Sequence, residues 1–283
     1  MAETPRDVVL ALVGVSSSEP RYTHGHHESV LRSHRWRTVS NSAGYLAPKL
    51  RSGMALLDVG SGPGTITAEL AEIVAPGKVT ALEANPEALE LTAKELERRG
   101  IGADYLVGDV HQLDLASHTF DVVHAHQVLQ HVADPVQALR EMARVTRPGG
   151  LVAARDSDYD GFVWFPELPG LDDWRRLYQR VARSNAGEPN AGRRLLHWAR
   201  LAGLRGVRAS TSSWLFATPD ERGWWANSWA DRVRTSAFAE HALAGGHAQQ
   251  GDLDAIAAAW LEWAEHPAAW LMIPHGEILA TAP

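Results

Sequence analysis

One stretch, Asp58-Val59-Gly60-Ser61-Gly62-Pro63-Gly64-Thr65, constrains this chain more than any other. It follows an apolar run, Met54–Leu57, that reads as a buried strand. It precedes Thr65–Val74, whose apolar residues recur at helical spacing. The stretch is therefore a tight strand-to-helix turn with three glycines. Glycine tolerates positive φ, and its missing Cβ lets a ligand lie against the backbone. The helix start behind it offers free N–H groups and a positive dipole end. A dinucleotide fingerprint would read G-x-G-x-x-G. Here the glycines fall as G-x-G-x-G, Thr65 takes the place of the third Rossmann glycine, and no G-x-x-x-x-G-K-[ST] run is present. An acid two residues before the first glycine suits a ligand that carries an amine.

The pattern then repeats. Lys78–Glu83 is a second strand, introduced by Pro76-Gly77 and ending in a carboxylate. An acid at that edge can accept both ribose hydroxyls. Asn85-Pro86 opens an amphipathic helix, Glu87–Arg99, stopped by Gly100. Ala103–Val107 is strand three and closes on Gly108-Asp109-Val110. Phe120–His126 is strand four, and it leads through Gln127 to Asp134-Pro135. Asp134 suits a helix cap and Pro135 the first turn of the helix Val136–Thr146. Leu151–Asp156 is strand five. Alternating strands and helices predict an α/β doubly wound sheet, with a ligand across its carboxyl ends.

The run D-x-G-x-G-x-G resembles motif I of the class I S-adenosylmethionine (SAM) methyltransferases. Glu83 matches the acid of their motif II. The segment around Phe120–Pro135, FDVV…VLxHV.DP, is similar to motif IV of small-molecule members, including the ubiquinone/menaquinone C-methyltransferase group. The resemblance covers residues 45–155. It implies a Rossmann-like, mostly parallel seven-stranded sheet, SAM as methyl donor, S-adenosylhomocysteine as product, and no metal. The implied cofactor contacts are Tyr22 and Arg37 from the N-terminal segment, and Asp58, Gly60, Ser61, Gly62, Gly64 and Thr65 in the turn. Glu83, Ala84 and Asn85 follow, then Gly108, Asp109 and Val110, then His126 and Gln127. In such enzymes the turn holds the methionine and ribose parts, and the acid at the Asp109 position meets the adenine amino group.

Outside that span the expectations concern shielding and the acceptor. His24, His26 and His27 sit near Gly25, but the adjacent imidazoles point apart and no second ligand cluster stands out, so no metal is expected. A helix is predicted from near His27 through His34 and Val39 to Leu46, ending before Pro48. Residues 1–47 then form a helical lid, 48–217 the cofactor-binding core, 218–267 a helical insertion and 268–283 a final antiparallel strand. Within the last, Ala268–Thr281 is read as a strand broken at Pro274-His275-Gly276. Of 11 Trp, only Trp36 precedes Ser157. A loop, Asp158–Pro166, leaves strand five and is expected to hang over the acceptor. His26, Tyr159, Trp164, Trp224, Trp225 and Trp229 are the candidate acceptor pocket, although any single Trp suits a core or a dimer interface as well. His131 and Asp156 are the candidate proton acceptors.

The remaining bounds come from composition. A net charge of −7 and a pI near 6.0 argue against nucleic acid or an anionic membrane as partner. Without Cys, disulfide and thiolate chemistry are excluded. The start lacks a basic signal region, and no apolar run approaches membrane-spanning length, so a cytoplasmic enzyme is expected. A homodimer stays open. The reading is a SAM-dependent methyltransferase for a small aromatic or hydrophobic metabolite, in specialised metabolism. The alternatives are a quinone-type C-methyltransferase, a SAM-binding module without turnover, and an NAD-dependent oxidoreductase.

Overall fold

Short apolar runs become strands, and amphipathic runs between them become helices. The structure, a computed structural model, describes residues 34–283. In chain order the elements are α1 (Val39–Ser42), β1 (Leu56–Val59), α2 (Thr65–Val74), β2 (Val79–Glu83), α3 (Pro86–Arg98), β3 (Asp104–Val107), β4 (Phe120–His126), α4 (Pro135–Val145) and β5 (Thr146–Ser157). They continue as β6 (Val163–Phe165), α5 (Pro169–Ser184), α6 (Leu195–Leu201), β7 (Arg205–Phe216), α7 (Pro219–Thr235), α8 (Ala237–Ala244), α9 (Gln250–Glu265) and β8 (Trp270–Thr281).

The sheet order is β3-β2-β1-β4-β5-β8, with β6 and β7 both paired to β8. Strands β1 to β5 are parallel, and β8 runs antiparallel to β5, β6 and β7. The expected seven strands are present, and β6 is an eighth, of three residues, that takes up pairing with β8 beyond the end of β5. Pleating sends successive side chains to opposite faces. Leu57, Val123 and Val152 thus join one buried layer, with Leu139 and Met142 of α4. Leu56, Val122 and Ala153 join the other, with Leu70 and Val74 of α2. Local chemistry sets the helix starts. The Asp134 carboxyl accepts the Gln137 N–H, and the Asn85 amide oxygen accepts from Glu87 and Ala88, each ahead of a first-turn proline.

Four expectations need correcting. The helix predicted to run into Leu46 is interrupted. Thr38 is extended (φ −131°, ψ 167°) and forms a reciprocal cap with Asn41, which restarts the chain as α1; Pro48 lies inside a 3-10 turn, Ala47–Lys49. The predicted part from His27 to Ser33, like Tyr22 and His26, lies outside the described residues. Pro274-His275-Gly276 does not break β8, which is continuous. Pro274 sits where the neighbouring edge passes from β5 to β6, and there its missing N–H deprives no ladder partner. Asp158–Pro166 is not an open loop. Tyr159, Phe162 and Trp164 turn inward, and Tyr159 stacks on Tyr178 at 3.8 Å between ring centres.

The helical insertion does not present its indoles to a cavity. Trp225, Trp229, Trp260 and Trp263 are buried with Trp174 of α5 in a separate aromatic core. Trp174 meets Trp229 and Trp260 edge-on at 4.6 and 4.9 Å. Such geometry suits the ring quadrupoles and fills the space between α5, α7 and α9. Trp224 is half-buried against Trp36 and Phe216. No helix among the described residues is long and apolar enough to cross a membrane.

Candidate functional site

The turn after β1 is built as its glycines require. Gly60, Gly62 and Gly64 all have positive φ, at +72°, +57° and +81°. At Gly60 a Cβ would lie 2.4 Å from Val128 Cγ2, and at Gly64 2.9 Å from the Thr92 Cα. Those two glycines let the turn pack against the β4–α4 connection and α3. At Gly62 nothing stands within 4 Å, so its bare backbone borders open space. The turn is clamped from behind. The Gly60 and Ser61 N–H groups donate to the Leu82 carbonyl, and the Thr92 hydroxyl donates to the Gly62 carbonyl at 2.7 Å.

That open space is a cavity of about 530 Å³ across the carboxyl ends of β1 to β4. Its size is ordinary for a cofactor-sized ligand. Asp58, Glu83 and Asp109, at or just beyond the tips of β1, β2 and β3, all line it. Each acid is held. Asp58 is buried and accepts the Thr67 hydroxyl at 2.5 Å and the His124 Nδ1–H at 2.7 Å. Glu83 accepts the Gly62 N–H at 2.6 Å. Burial pushes its carboxyl up to about 7, against the Gly62 and Ala84 N–H groups that favour the charge. Asp109 is mostly exposed and accepts from the His111 backbone at 2.9 Å and ring at 2.6 Å. Burial opposes its charge, but the His111 contacts prevail and hold the carboxyl below its usual range.

Of the residues expected at the cofactor, Arg37, Ser61, Thr65, Ala84, Asn85, Gly108, Val110, His126 and Gln127 line the cavity, besides the three acids, Gly60 and Gly62. Gly64 does not; it caps α2 and faces Thr92. The apolar walls are Ile66, Leu82, Ala88, Val128 and Val132. None of these five was expected, since an apolar residue in a helix, a strand or the β4–α4 connection carries no signal of facing a ligand.

The β4 side is rich in imidazole. His126 and His131 line the cavity, with His34, His111 and His124. Burial, and then the Arg155 and Arg37 cations, lower the His126 pKa well below its ordinary value. Burial and Arg37 bring His131 down to about 3, so both rings are neutral near pH 7. His131 Nε2 lies 2.9 Å from the Gln130 amide nitrogen, while Gln130 Oε1 accepts the Ser157 hydroxyl. Nε2 therefore receives a hydrogen bond and is engaged as an acceptor already. Asp156 is not on the cavity. It is fully buried, accepts the Gln130 N–H at 3.0 Å, and burial raises its carboxyl to about 8. It braces the Gln127–His131 turn from below. Tyr159, Trp164, Trp224, Trp225 and Trp229 are also absent from the cavity lining, for the packing reason given above.

Sequence reasoning missed a buried polar row behind the cavity. Arg155 lies opposite both His126 and Glu277 in register, and Glu277 accepts from Ser210 and Ser212. The Arg155 guanidinium stacks on Trp214 at 5.0 Å and keeps its charge, its pKa lowered by burial only to about 10. His275 joins from β8, 4.3 Å from Trp214 between ring centres. The only available signals were the charged end of β5, Arg155-Asp156, and the alternation of His275 and Glu277 with uncharged residues along β8. Among the described residues no group of three or more acids and imidazoles is placed to hold a metal.

Comparison with known proteins agrees with this geometry. A family model described as a methyltransferase domain matches residues 57–154. An uncharacterized methyltransferase of Schizosaccharomyces pombe is 31% identical over 270 residues, covering 91% of this chain and 95% of that protein. A ubiquinone biosynthesis O-methyltransferase of Methylocella silvestris is 31% identical over 171 residues, covering 55% of this chain and 65% of its own. Among solved structures, phosphoethanolamine N-methyltransferase 2 of Haemonchus contortus, complexed with S-adenosylhomocysteine, superposes with a TM-score of 0.53 at 15% identity, over 83% of this chain and 50% of that one. The glycine turn, the acids at three successive strand tips and a methyltransferase relative aligned along nearly the whole chain lead to one conclusion: this chain belongs to the class I SAM-dependent methyltransferases.

Proposed function

We propose that the cavity binds SAM along the tips of β1, β2 and β3, and that a small aromatic or hydrophobic acceptor enters from the β4 side. One observation carries this reading: Asp58, Glu83 and Asp109 share one cavity with the open backbone at Gly62. The donor set fits the cofactor. Asp109 is suited to the adenine amino group, Glu83 to the ribose diol, and the Asp58 turn to the amino-acid end. Leu82, Ala88 and Val110 offer apolar walls for the base. When bound, the cofactor supplies an electrophilic methyl carbon on a sulfonium. The protein's part is alignment and exclusion of water. Orienting two reactants contributes up to roughly 7–11 kcal/mol in ideal cases. His34 and Arg37 border the cavity from the segment that precedes α1, which suits a cover. Neither His131, engaged with Gln130, nor the buried Asp156 is offered as a base; the reading is transfer by positioning, with the acceptor proton passing to solvent.

Titration calorimetry of the full chain with S-adenosylhomocysteine and with NAD tests this. S-adenosylhomocysteine is expected to bind about tenfold tighter or better, and Glu83→Ala to weaken it by about tenfold or more, from about 1.5–3 kcal/mol per hydrogen bond to a charged group. A preference for NAD would end the methyltransferase reading of this cavity.

A further inference from the structure

Gln127, the first residue after β4, is the one non-glycine residue with positive φ among the described residues that line the cavity. Its φ is +55°, a region that residues other than glycine seldom adopt, and such strain collects where a side chain must be aimed. The conformation is held by its own N–H, which donates to the Arg155 carbonyl at 2.7 Å. The side chain is fixed as well. His275 Nδ1 lies 3.1 Å from the Ile273 carbonyl, which can only accept, so Nδ1 carries the proton. The His275 ring is buried and its pKa is lowered well below the usual value, first by burial and then by Arg155 and Arg37. The ring is neutral, and Nε2 bears a lone pair. The atom 2.9 Å from that lone pair must be a donor, which identifies it as the Gln127 amide nitrogen. The amide cannot be flipped without placing two acceptors together.

The consequence is a matter of polarity. Because the amide nitrogen is turned to His275, the carbonyl Oε1 is the remaining acceptor. It makes no hydrogen bond among the described residues and is not among their buried unpartnered atoms, and Gln127 lines the cavity. By motif Gln127 falls among the cofactor contacts. By position it lies past the three acids, on the β4 side, beside His126, Val128 and His131. An open carbonyl in an otherwise apolar and imidazole-lined wall selects a ligand that brings a hydrogen-bond donor. A site built to bond an O–H or N–H rejects the analogue that lacks it, because the polar group is then left unpaired.

We propose that Gln127 Oε1 receives the methyl acceptor through an O–H or N–H on its reacting atom, and that His275 is the positioning residue that keeps this carbonyl turned to the cavity. The proposal rests on the methyltransferase reading above, and it narrows the acceptor to hydroxyl or amine compounds, methylated on oxygen or nitrogen. In the step it serves, the acceptor's lone pair forms the new bond to the methyl carbon as the methyl–sulfur bond breaks. That electron pair stays on sulfur, and the acceptor's proton goes to solvent. Gln127 is a neutral amide and neither gives nor takes a proton.

The test uses the full chain saturated with S-adenosylhomocysteine and two matched probe pairs: phenol with anisole, and aniline with N,N-dimethylaniline. Wild type is expected to favour the donor member of at least one pair by about fivefold, the worth of one hydrogen bond. Gln127→Met, with S-adenosylhomocysteine kept saturating, is expected to erase that preference. His275→Phe, with Gln127 intact, is expected to narrow the preference, which a residue that merely supported the fold would not do. Equal binding within both pairs overturns the proposal, as does no measurable binding of any probe. A preference that survives Gln127→Met, or is untouched by His275→Phe when Gln127→Met does not fold, overturns it too. If S-adenosylhomocysteine itself fails to bind, the methyltransferase reading falls first, and that outcome is distinct from the others.

Discussion

At the scale of single residues, the acid at the tip of β2 is the most informative. Burial raises its carboxyl from 4.5 to about 7, so the folded chain holds that proton more tightly than the unfolded chain does. A group raised in this way contributes stability that is full below pH 4.5 and is lost as pH rises through about 7. Ligand binding has the opposite sign, because ribose hydroxyls donate to the charged form. S-adenosylhomocysteine affinity should therefore rise between about pH 6 and pH 8, with proton release near neutrality. Calorimetry in buffers of different ionisation heat measures both effects, and Glu83→Gln should flatten them. A flat wild-type profile would remove Glu83 as the diol acceptor. The position of this residue was legible from the sequence, but its protonation was not. An acid after an apolar strand is visible in one dimension, whereas the depth to which Gly62 and the strand tips bury it is set by the fold.

At the scale of elements, the β1–α2 turn makes a sharp contrast possible. Gly60→Ala places a methyl against Val128 and also strains the backbone, by roughly 1–2 kcal/mol for the left-handed conformation alone. Gly62→Ala has the same backbone cost but meets nothing within 4 Å. Gly60→Ala should thus lower the melting temperature further, while Gly62→Ala should lose more S-adenosylhomocysteine affinity than its stability loss explains. Thermal melts beside calorimetry would check this, and the reverse ranking would place the ligand elsewhere. Elements with local punctuation were read well from sequence. The range of β4 and the Asp134-Pro135 start of α4 follow from residues adjacent to them. Elements decided by distant partners were not. The Thr38–Asn41 cap splits a helix that periodicity alone would continue, and the indoles of α7 and α9 pack on α5, which no local pattern announces.

For the whole molecule, the carboxyl edge of the sheet is a store of neutral imidazole. His126 and His275 are buried and His131 is half-buried, and their folded pKa values lie below the ordinary 6.5. Groups depressed in this way give stability that is full above pH 6.5 and is lost as pH falls. Each proton taken up on unfolding contributes a slope of about 1.4 kcal/mol per pH unit. Between about pH 6.5 and pH 5 the raised carboxyls of Glu83 and Asp156 act with the opposite sign and offset about two of these three protons, so urea midpoints should drop with a slope of about one proton, and His275→Phe should bring the profile close to level. An unchanged slope in His275→Phe would mean that this ring is not held neutral.

Strand β8 lies between two neighbours, β5 and β6 on one side and β7 on the other, and it is later in the chain than all of them. The sheet therefore cannot be completed by adding strands outward in chain order; β8 has to enter between strands made before it. While it waits, β5 and β7 both offer unsatisfied edges, the kind of surface on which nascent chains stick to one another. The yield of correctly assembled molecules should thus depend on how readily residues 270–281 enter between them, a step that also brings His275 to Gln127.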